Sequence, residues 1–196
     1  MTDYRVIVCR EGFCKPIAKG AFSAACTITL ICGKFNILFD PGSPWDADMI
    51  HSILGEHNLE CKDIDYVICS HGHVDHIGSL NCFPSATILI GTEIMRSGRT
   101  VEHNFSFVNP FIIDDNVRII FTPGHTKNDV SLVVEKTREF GTVVVSGDLF
   151  ESQQDLLDSQ LWKSSSLDAI LQERSRNYIL SFANYIIPGH GSMFRV

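Results

Sequence analysis

Four short apolar runs along this chain of 196 residues each end in a loop that carries histidine or aspartate side chains. The runs are residues 66–69, 119–121, 143–145 and 185–187, and they are rich in valine and isoleucine, which is typical of buried strands. Five of the eight histidines and two aspartates follow these runs: His71, His73, Asp75, His76, His125, Asp148 and His190. We therefore predict that the strand ends build one site from these seven side chains.

The rest of the chain predicts a mixed α/β fold. The predicted strands are residues 4–9, 26–32, 35–39, 66–69, 87–90, 117–121, 130–134, 142–145 and 185–187. Apolar residues recur at helical spacing in residues 46–57, 75–81 and 167–183. Since no repeat, low-complexity segment or long linker divides the sequence, we predict one domain over residues 1–196, with sheets covered by helices.

The segment from His71 to His76 has the pattern His-x-His-x-Asp-His, which suits metal binding. In an extended segment, side chains two residues apart point the same way, so His71 and His73 can converge on one ion. Asp75 and His76 follow where the chain turns into a helix, and they are directed toward a second point. Three histidines and an acid within six residues have little structural use, whereas a lone histidine in one of the other loops could be an ordinary turn residue.

Seven ligands exceed what one ion needs. A tetrahedral zinc site with an open position takes about three protein ligands. Two ions about 3.5 to 4 Å apart use all seven if each ion binds three ligands of its own and one carboxylate bridges both. Asp148 is the carboxylate suited to sharing. The sequence thus predicts a hydrolytic centre with two divalent ions; zinc suits these ligands, and iron or manganese are alternatives.

The His-x-His-x-Asp-His run, followed in order by His125, Asp148 and His190, resembles the ligand signature of the metallo-β-lactamase superfamily. The resemblance implies an αββα sandwich with the metals in a cleft at one edge of the two sheets. It also implies that Asp148 bridges the metals and that Asp40, in an Asp-Pro-Gly loop, supports the site without binding metal. The other ligands would form two groups: His71, His73 and His125 for the first metal, and Asp75, His76 and His190 for the second.

Residues 172–176 and 194–196 narrow the resemblance to a smaller branch of this superfamily. Only 41 residues separate Asp148 from His190, too few for the domain inserted in larger RNA-processing nucleases of the superfamily. The narrower resemblance implies a zinc-dependent endoribonuclease that cleaves histone pre-mRNA 3′ ends, acting as a homodimer in the cytosol and nucleus.

The predicted reaction is hydrolysis, with single-stranded RNA as the expected substrate. Asp75 is the catalytic candidate, because a carboxylate ligand keeps one oxygen that can orient the attacking water. The formal charge of −7 opposes binding of a polyanion, so attraction must be local to the cleft, and Lys127 beside His125 is the expected contact. Arg174 and Arg176 could add to it, although charges on such a helix are typically solvated.

Two other functions fit the sequence. The acidic composition and the lack of an added RNA-binding domain favour a small ester, thioester or lactam as substrate. A metal-bound protein without catalytic activity is the third possibility, although all seven ligands are present.

The sequence begins without a basic and apolar leader, and its charge-free residues 20–33 fall short of the roughly 18 to 20 apolar residues that span a bilayer. We therefore expect an intracellular protein with no membrane partner.

Overall fold

The computed structural model describes residues 4–196, and strands dominate its regular structure. In chain order the strands are β1 (Arg5–Arg10), β2 (Phe13–Ala18), β3 (Ala21–Ala25), β4 (Ile28–Cys32), β5 (Asn36–Phe39), β6 (Tyr66–Cys69), β7 (Thr87–Ile90), β8 (Glu93–Arg96), β9 (Arg99–Val101), β10 (Phe111–Asp114), β11 (Val117–Phe121), β12 (Val130–Thr137), β13 (Gly141–Gly147), β14 (Tyr185–Pro188) and β15 (Phe194–Arg195). The α-helices are α1 (Ala47–Glu56), α2 (Val74–Ile77), α3 (Gln160–Lys163) and α4 (Ala169–Leu180).

Two sheets stack face to face, with helices on both outer surfaces. The strand order is β1-β4-β5-β6-β7-β8-β9 in the first sheet and β10-β11-β12-β13-β14-β15 in the second, and β2 and β3 form a separate hairpin. Side chains alternate between the faces of a strand, so each sheet has an inner and an outer apolar face. The inner faces meet in one buried cluster that includes Phe39, Ile68, Leu132 and Val145.

The outer faces are covered by the two longer helices. Helix α1 buries Ile50 and Leu54 against the first sheet, and α4 buries Ile179 against the second. The predicted αββα sandwich is therefore confirmed. Among residues 4–196, none of the helices combines the length and apolar character needed to cross a membrane.

The strand directions bring the predicted site loops to one edge. Strands β5 and β6 run parallel, as do β13 and β14, so the loops that follow each pair leave from the same edge of their sheet. Strand β11 lies two antiparallel steps from β13 and points the same way. The loops after these five strands carry Asp40, the His71 to His76 segment, His125, Asp148 and His190.

All nine predicted strands are confirmed within a few residues, and the three predicted helices form with shorter limits. The prediction at 75–81 is only partly right, because α2 ends at Ile77 and a 3-10 turn follows at Leu80–Cys82. Six strands and α3 were missed: β2, β3, β8, β9, β10 and β15. Strand β2 shows why, since all six of its residues are exposed and it carries no apolar alternation.

Candidate metal centre

The structure brings all seven predicted ligands together, and four of them, His71, His73, His125 and Asp148, face one point. Nδ1 of His73 lies 2.8 Å from Nε2 of His71 and 3.2 Å from Nε2 of His125. Oδ2 of Asp148 lies 3.6 Å from Nε2 of His71 and 3.4 Å from Nε2 of His125. Three imidazole nitrogens and one carboxylate oxygen thus form the first ligand group.

The other oxygen of Asp148 belongs to a second group. Oδ1 of Asp148 lies 3.3 Å from Nε2 of His76 and 3.4 Å from Nε2 of His190. Oδ2 of Asp75 lies 3.7 Å from Nε2 of His76 and 3.8 Å from Nε2 of His190. Because Asp148 directs one oxygen to each group, it has the position that a bridging carboxylate requires.

The donor set fits two divalent cations. Zinc binds nitrogen and oxygen ligands at about 2.0 to 2.2 Å, so neighbouring ligands of a tetrahedral ion lie about 3.3 to 3.6 Å apart. The distances given above scatter around that value, from 2.8 to 3.8 Å, and all ligand atoms of each group lie within 4.8 Å of one another. Nε2 of His76 and Oδ1 of Asp148 are buried without a hydrogen-bond partner, and a cation would satisfy both atoms. The residues therefore fit a two-metal centre.

Two glycines allow the bridging carboxylate to reach this position. Gly147 has a φ of +52°, a backbone conformation that favours glycine, and a Cβ there would overlap the side chain of Ser70. Gly189, on the neighbouring parallel strand end, lies so close that a Cβ would collide with Oδ1 of Asp148. The backbone at both strand ends is therefore shaped around Asp148.

Asp40 supports two of the histidines, as the family resemblance implied. Its Oδ1 accepts a hydrogen bond from the backbone N–H of Ser70 at 2.7 Å, and its Oδ2 lies 2.8 Å from Nδ1 of His76. Ser70 Oγ donates to Oδ2 of Asp40 at 3.0 Å and lies 2.9 Å from Nδ1 of His71. A carboxylate only accepts, so His76 donates to Asp40 through Nδ1. Ser70 Oγ gives its proton to Asp40, so it accepts from Nδ1 of His71. Both imidazoles therefore keep Nε2 free toward the ligand groups.

The remaining ligand loops have their own supports, which the sequence analysis missed. Asp129 accepts hydrogen bonds from the backbone N–H groups of Gly124 and Thr126, and it thereby closes the loop around His125. The Thr-x-x-Asp spacing of that loop was the available signal. His190 lies with Nδ1 3.1 Å from the carbonyl oxygen of Ala25, which leaves Nε2 for the second ligand group.

The electrostatics divide the histidines into two types. Burial, with repulsion from His76, holds the pKa of His71 well below its usual range, and burial also lowers the pKa of His125. Burial works against protonation of His76 and His190 too, but the carboxylate of Asp148 outweighs it and raises the pKa of His190 to about 9. Without cations, protons on the second group balance the charge of Asp148.

A further carboxylate, Glu151, lies beside the second group, and its role was not predicted. Its Oε2 is 3.9 Å from Nε2 of His190, and its Oε1 accepts a hydrogen bond from Ser165 Oγ at 2.9 Å. Burial and the nearby charge of Asp148 raise the pKa of Glu151 to about 7. Its ligand atoms, with those of Asp148 and His190, are close enough to hold an ion.

A cleft of about 440 Å³ opens beside the first ligand group. Its walls include His73 and, as predicted, Lys127, together with the apolar Ile90 and Leu167 and the acidic Glu93. Lys127 therefore lies in the cleft wall, and its contact with a substrate stays a prediction.

One of the two helix arginines, Arg176, differs from the sequence-based expectation of a solvated charge. Arg176 is only 4% exposed, because Asp155 supplies a buried counter-charge 3.2 Å from its Nη1. Arg176 is therefore unavailable to a substrate, and that expectation was wrong. Arg174 is exposed, and its guanidinium lies 4.3 Å from the ring centre of Phe107.

The αββα sandwich and the paired histidine and aspartate groups at its edge define a metal-dependent hydrolase. The chain belongs to the metallo-beta-lactamase superfamily, whose model matches residues 24–190. A relative from Xenopus laevis, metallo-beta-lactamase domain-containing protein 1, is 40% identical over all of this chain and 83% of its own length. The rat relative of the same name is 41% identical over 82% of this chain, and the match spans only 63% of that protein.

Solved structures share the fold. A metallo-beta-lactamase-fold protein of Thermotoga maritima superimposes with a TM-score of 0.76 at 16% identity, over 99% of this chain and all of the other. A variant of the lactonase AiiA from Bacillus thuringiensis, with N-decanoyl-L-homoserine bound at its active site, gives a TM-score of 0.67 at 20% identity, over 97% of this chain and 94% of the other. At such identities the likeness concerns the fold alone.

Proposed function

We propose that this chain is a dinuclear metal-dependent endoribonuclease that hydrolyses phosphodiester bonds of single-stranded RNA. Hydrolysis is supported above all by Asp148, which directs one carboxylate oxygen to each of the two ligand groups. Such a centre, when it holds two divalent cations, lowers the pKa of a shared water and stabilises negative charge on the reacting group. Zinc suits the histidine-rich donor set, with iron and manganese as alternatives.

The ligands assigned to each cation follow the two groups of the structure. His71, His73 and His125 would hold the first ion, Asp75, His76 and His190 the second, and Asp148 both.

Asp75 is the proposed catalytic residue. Its side chain is 24% exposed, against 5% for Asp148, so it is the ligand carboxylate that is more open to solvent. Only its Oδ2 approaches the histidines of the second group. The other oxygen can accept a hydrogen bond from the attacking water and orient it.

Local features near the centre support a nucleic-acid strand as substrate despite the net charge of −7. Lys127 lines the cleft. The hairpin of β2 and β3 ends beside His190, and it carries Lys15 and Lys19 but no acidic residue over residues 13–25. Phe22 is 64% exposed and lies on the same face of the hairpin as Cys14. Partial desolvation and the nearby carboxylates of the centre raise the pKa of the Cys14 thiol, so this face lies near the centre. Exposed aromatic rings and a few cations are what single-stranded RNA needs.

The narrower family resemblance extends the proposal to a physiological reaction. It supports cleavage at histone pre-mRNA 3′ ends, by a homodimer, in the cytosol or nucleus. The relatives that share this resemblance match at about 40% identity.

A small ester, thioester or lactam is the second proposed substrate class. The cleft favours it, because a volume of about 440 Å³ suits a small molecule, and Ile90 and Leu167 would contact an apolar group. Glu93 in the same cleft disfavours a polyanion. The AiiA variant with bound N-decanoyl-L-homoserine is an example of this fold with a small molecule at its active site.

A substrate panel on the zinc-loaded protein tests the proposal. We expect cleavage of a single-stranded RNA oligonucleotide, and we expect Asp148→Asn to abolish it. The affinity for RNA should fall as the salt concentration rises, with a slope that corresponds to only a few phosphate contacts. Lys127→Ala should lower that salt slope by about one contact, whereas Arg138→Ala, at the opposite edge of the sandwich, should not. Faster turnover of a thioester or lactone than of RNA would refute the nuclease assignment. Metal binding without any turnover would leave only a binding protein.

A further inference from the structure

Residues 172–176 lie on α4, and part of this segment faces the metal centre rather than solvent. Gln172 and Ser175 are fully buried and Arg176 nearly so, whereas Glu173 and Arg174 are exposed. Residues three and four apart share one face of a helix, so the inward face of α4 carries three polar side chains. Buried polar groups require partners, and the partners here are the loops that carry two of the metal ligands.

Gln172 holds the turn that begins with Asp148. Its Nε2 donates to the carbonyl oxygens of Asp148 at 3.2 Å and of Leu149 at 3.3 Å. Carbonyl oxygens only accept, so the amide nitrogen, not its oxygen, must face this turn. Gln172 thus holds the backbone of the residue whose side chain lies between the two ligand groups.

Arg176, one helical turn after Gln172, holds the same turn. Its Nη1 donates to the carbonyl oxygen of Leu149 at 2.8 Å and to Oδ2 of Asp155 at 3.2 Å. The guanidinium lies 4.0 Å from the ring centre of Phe150 and 4.7 Å from that of Trp162. A planar guanidinium held by hydrogen bonds and two rings has little freedom to move.

The same helix also contacts the loop of His125. Ser175 Oγ donates to the carbonyl oxygen of Pro123 at 2.7 Å. The backbone N–H of Asp168, the residue before the helix, donates to the carbonyl oxygen of Gly124 at 2.9 Å. Gly124 packs against Gln172 so closely that a Cβ at Gly124 would overlap the backbone of Gln172. Helix α4 therefore spans the loops of two ligands that come from different strands.

We propose that Gln172 and Arg176 are positioning residues for Asp148, and that α4 sets the separation of Asp148 from His125. The proposal rests on the proposed two-metal centre. Oδ2 of Asp148 lies 3.4 Å from Nε2 of His125, and no other ligand connects both groups. A shift of the turn that carries Asp148 would therefore disturb both metals together, although neither Gln172 nor Arg176 touches a metal.

Zinc affinity tests the proposal without any substrate. Gln172→Met keeps the length of the side chain and removes the donor, and we expect the affinity for both zinc ions, measured by competition with a chromophoric chelator, to fall about 10- to 100-fold. The absorption bands of the Co²⁺-loaded protein should change as well, because the geometry at Asp148 changes. Arg176→Lys keeps the charge beside Asp155 but not the planar fork, and it should give a smaller loss in the same direction. It also serves as the second variant if Gln172→Met does not fold.

Ile179→Ala is the matched control, since Ile179 is buried on the same face of α4 and makes no side-chain hydrogen bond. It should lower the melting temperature while zinc affinity and the Co²⁺ spectrum stay as in the wild type. Wild-type affinity in Gln172→Met and Arg176→Lys would overturn the positioning role and leave the metal centre intact. An equal loss in Ile179→Ala would also overturn it, because affinity would then follow stability alone. Failure of the wild-type protein to bind zinc would instead refute the centre, and the positioning role with it.

Discussion

Replacing Asp40 by asparagine should weaken metal binding although residue 40 does not face the metals. The side chain is 1% exposed, and its oxygens accept from Ser70 N–H, Ser70 Oγ and His76 Nδ1. Asparagine has nearly the same shape but replaces one acceptor oxygen by a donor. If its oxygen stays with the backbone N–H of Ser70, its NH₂ group faces His76 Nδ1. His76 must then accept through Nδ1 and carry its proton on Nε2, the atom that faces Asp148.

The magnitude follows from these contacts. A protonated Nε2 cannot bind a cation, so binding at the second group must first reverse the tautomer and break the new hydrogen bond. Loss of such a supporting contact typically costs about 10- to 100-fold in metal affinity, or about 1.4 to 2.8 kcal/mol. The protein without metal also loses a hydrogen bond to a charged group, worth about 1.5 to 3 kcal/mol.

The assay is chelator competition for zinc on the wild type and on Asp40→Asn, with stability followed by denaturant unfolding. Asp114→Asn is the matched control, because Asp114 also accepts three hydrogen bonds, from Tyr4, Asn116 and Val117, and lies far from the centre. The control should lose stability but no zinc affinity. Wild-type zinc affinity in Asp40→Asn would refute the tautomer argument.

Three further predictions follow from the structure. Removing the metals with a chelator should lower stability by about 2.7 kcal/mol relative to protein held at a free zinc concentration 100 times the dissociation constant, as calorimetry would show. Gly147→Ala should reduce zinc affinity and stability together, because a Cβ there meets Ser70 and shifts Asp148; unchanged zinc titration would contradict this. Burial and the hydrogen bond to Asp114 raise the pKa of Tyr4 well above its usual range, so its contribution to stability is complete below about pH 10 and is lost as the pH rises further. Tyr4→Phe should therefore be less stable at neutral pH and show a shallower loss of stability above pH 10, in denaturant titrations at several pH values.

Local features of the sequence determined one half of the site. The segment from His71 to His76 carries four ligands within six residues, and its geometry depends only on an extended stretch followed by a helical turn. The buried strands were predictable from local sequence too, since β6 and residues 143–145 of β13 are short apolar runs that are buried almost completely.

Only the tertiary structure decided how distant residues meet. The direction and order of β11, β13 and β14 bring His125, Asp148 and His190 to one edge, and a single sequence does not specify which strands are neighbours. Arg176 shows the limit most clearly, since helical spacing gave no reason to bury a charge. Its burial depends on Asp155, which is 21 residues away along the chain and adjacent only in the folded molecule.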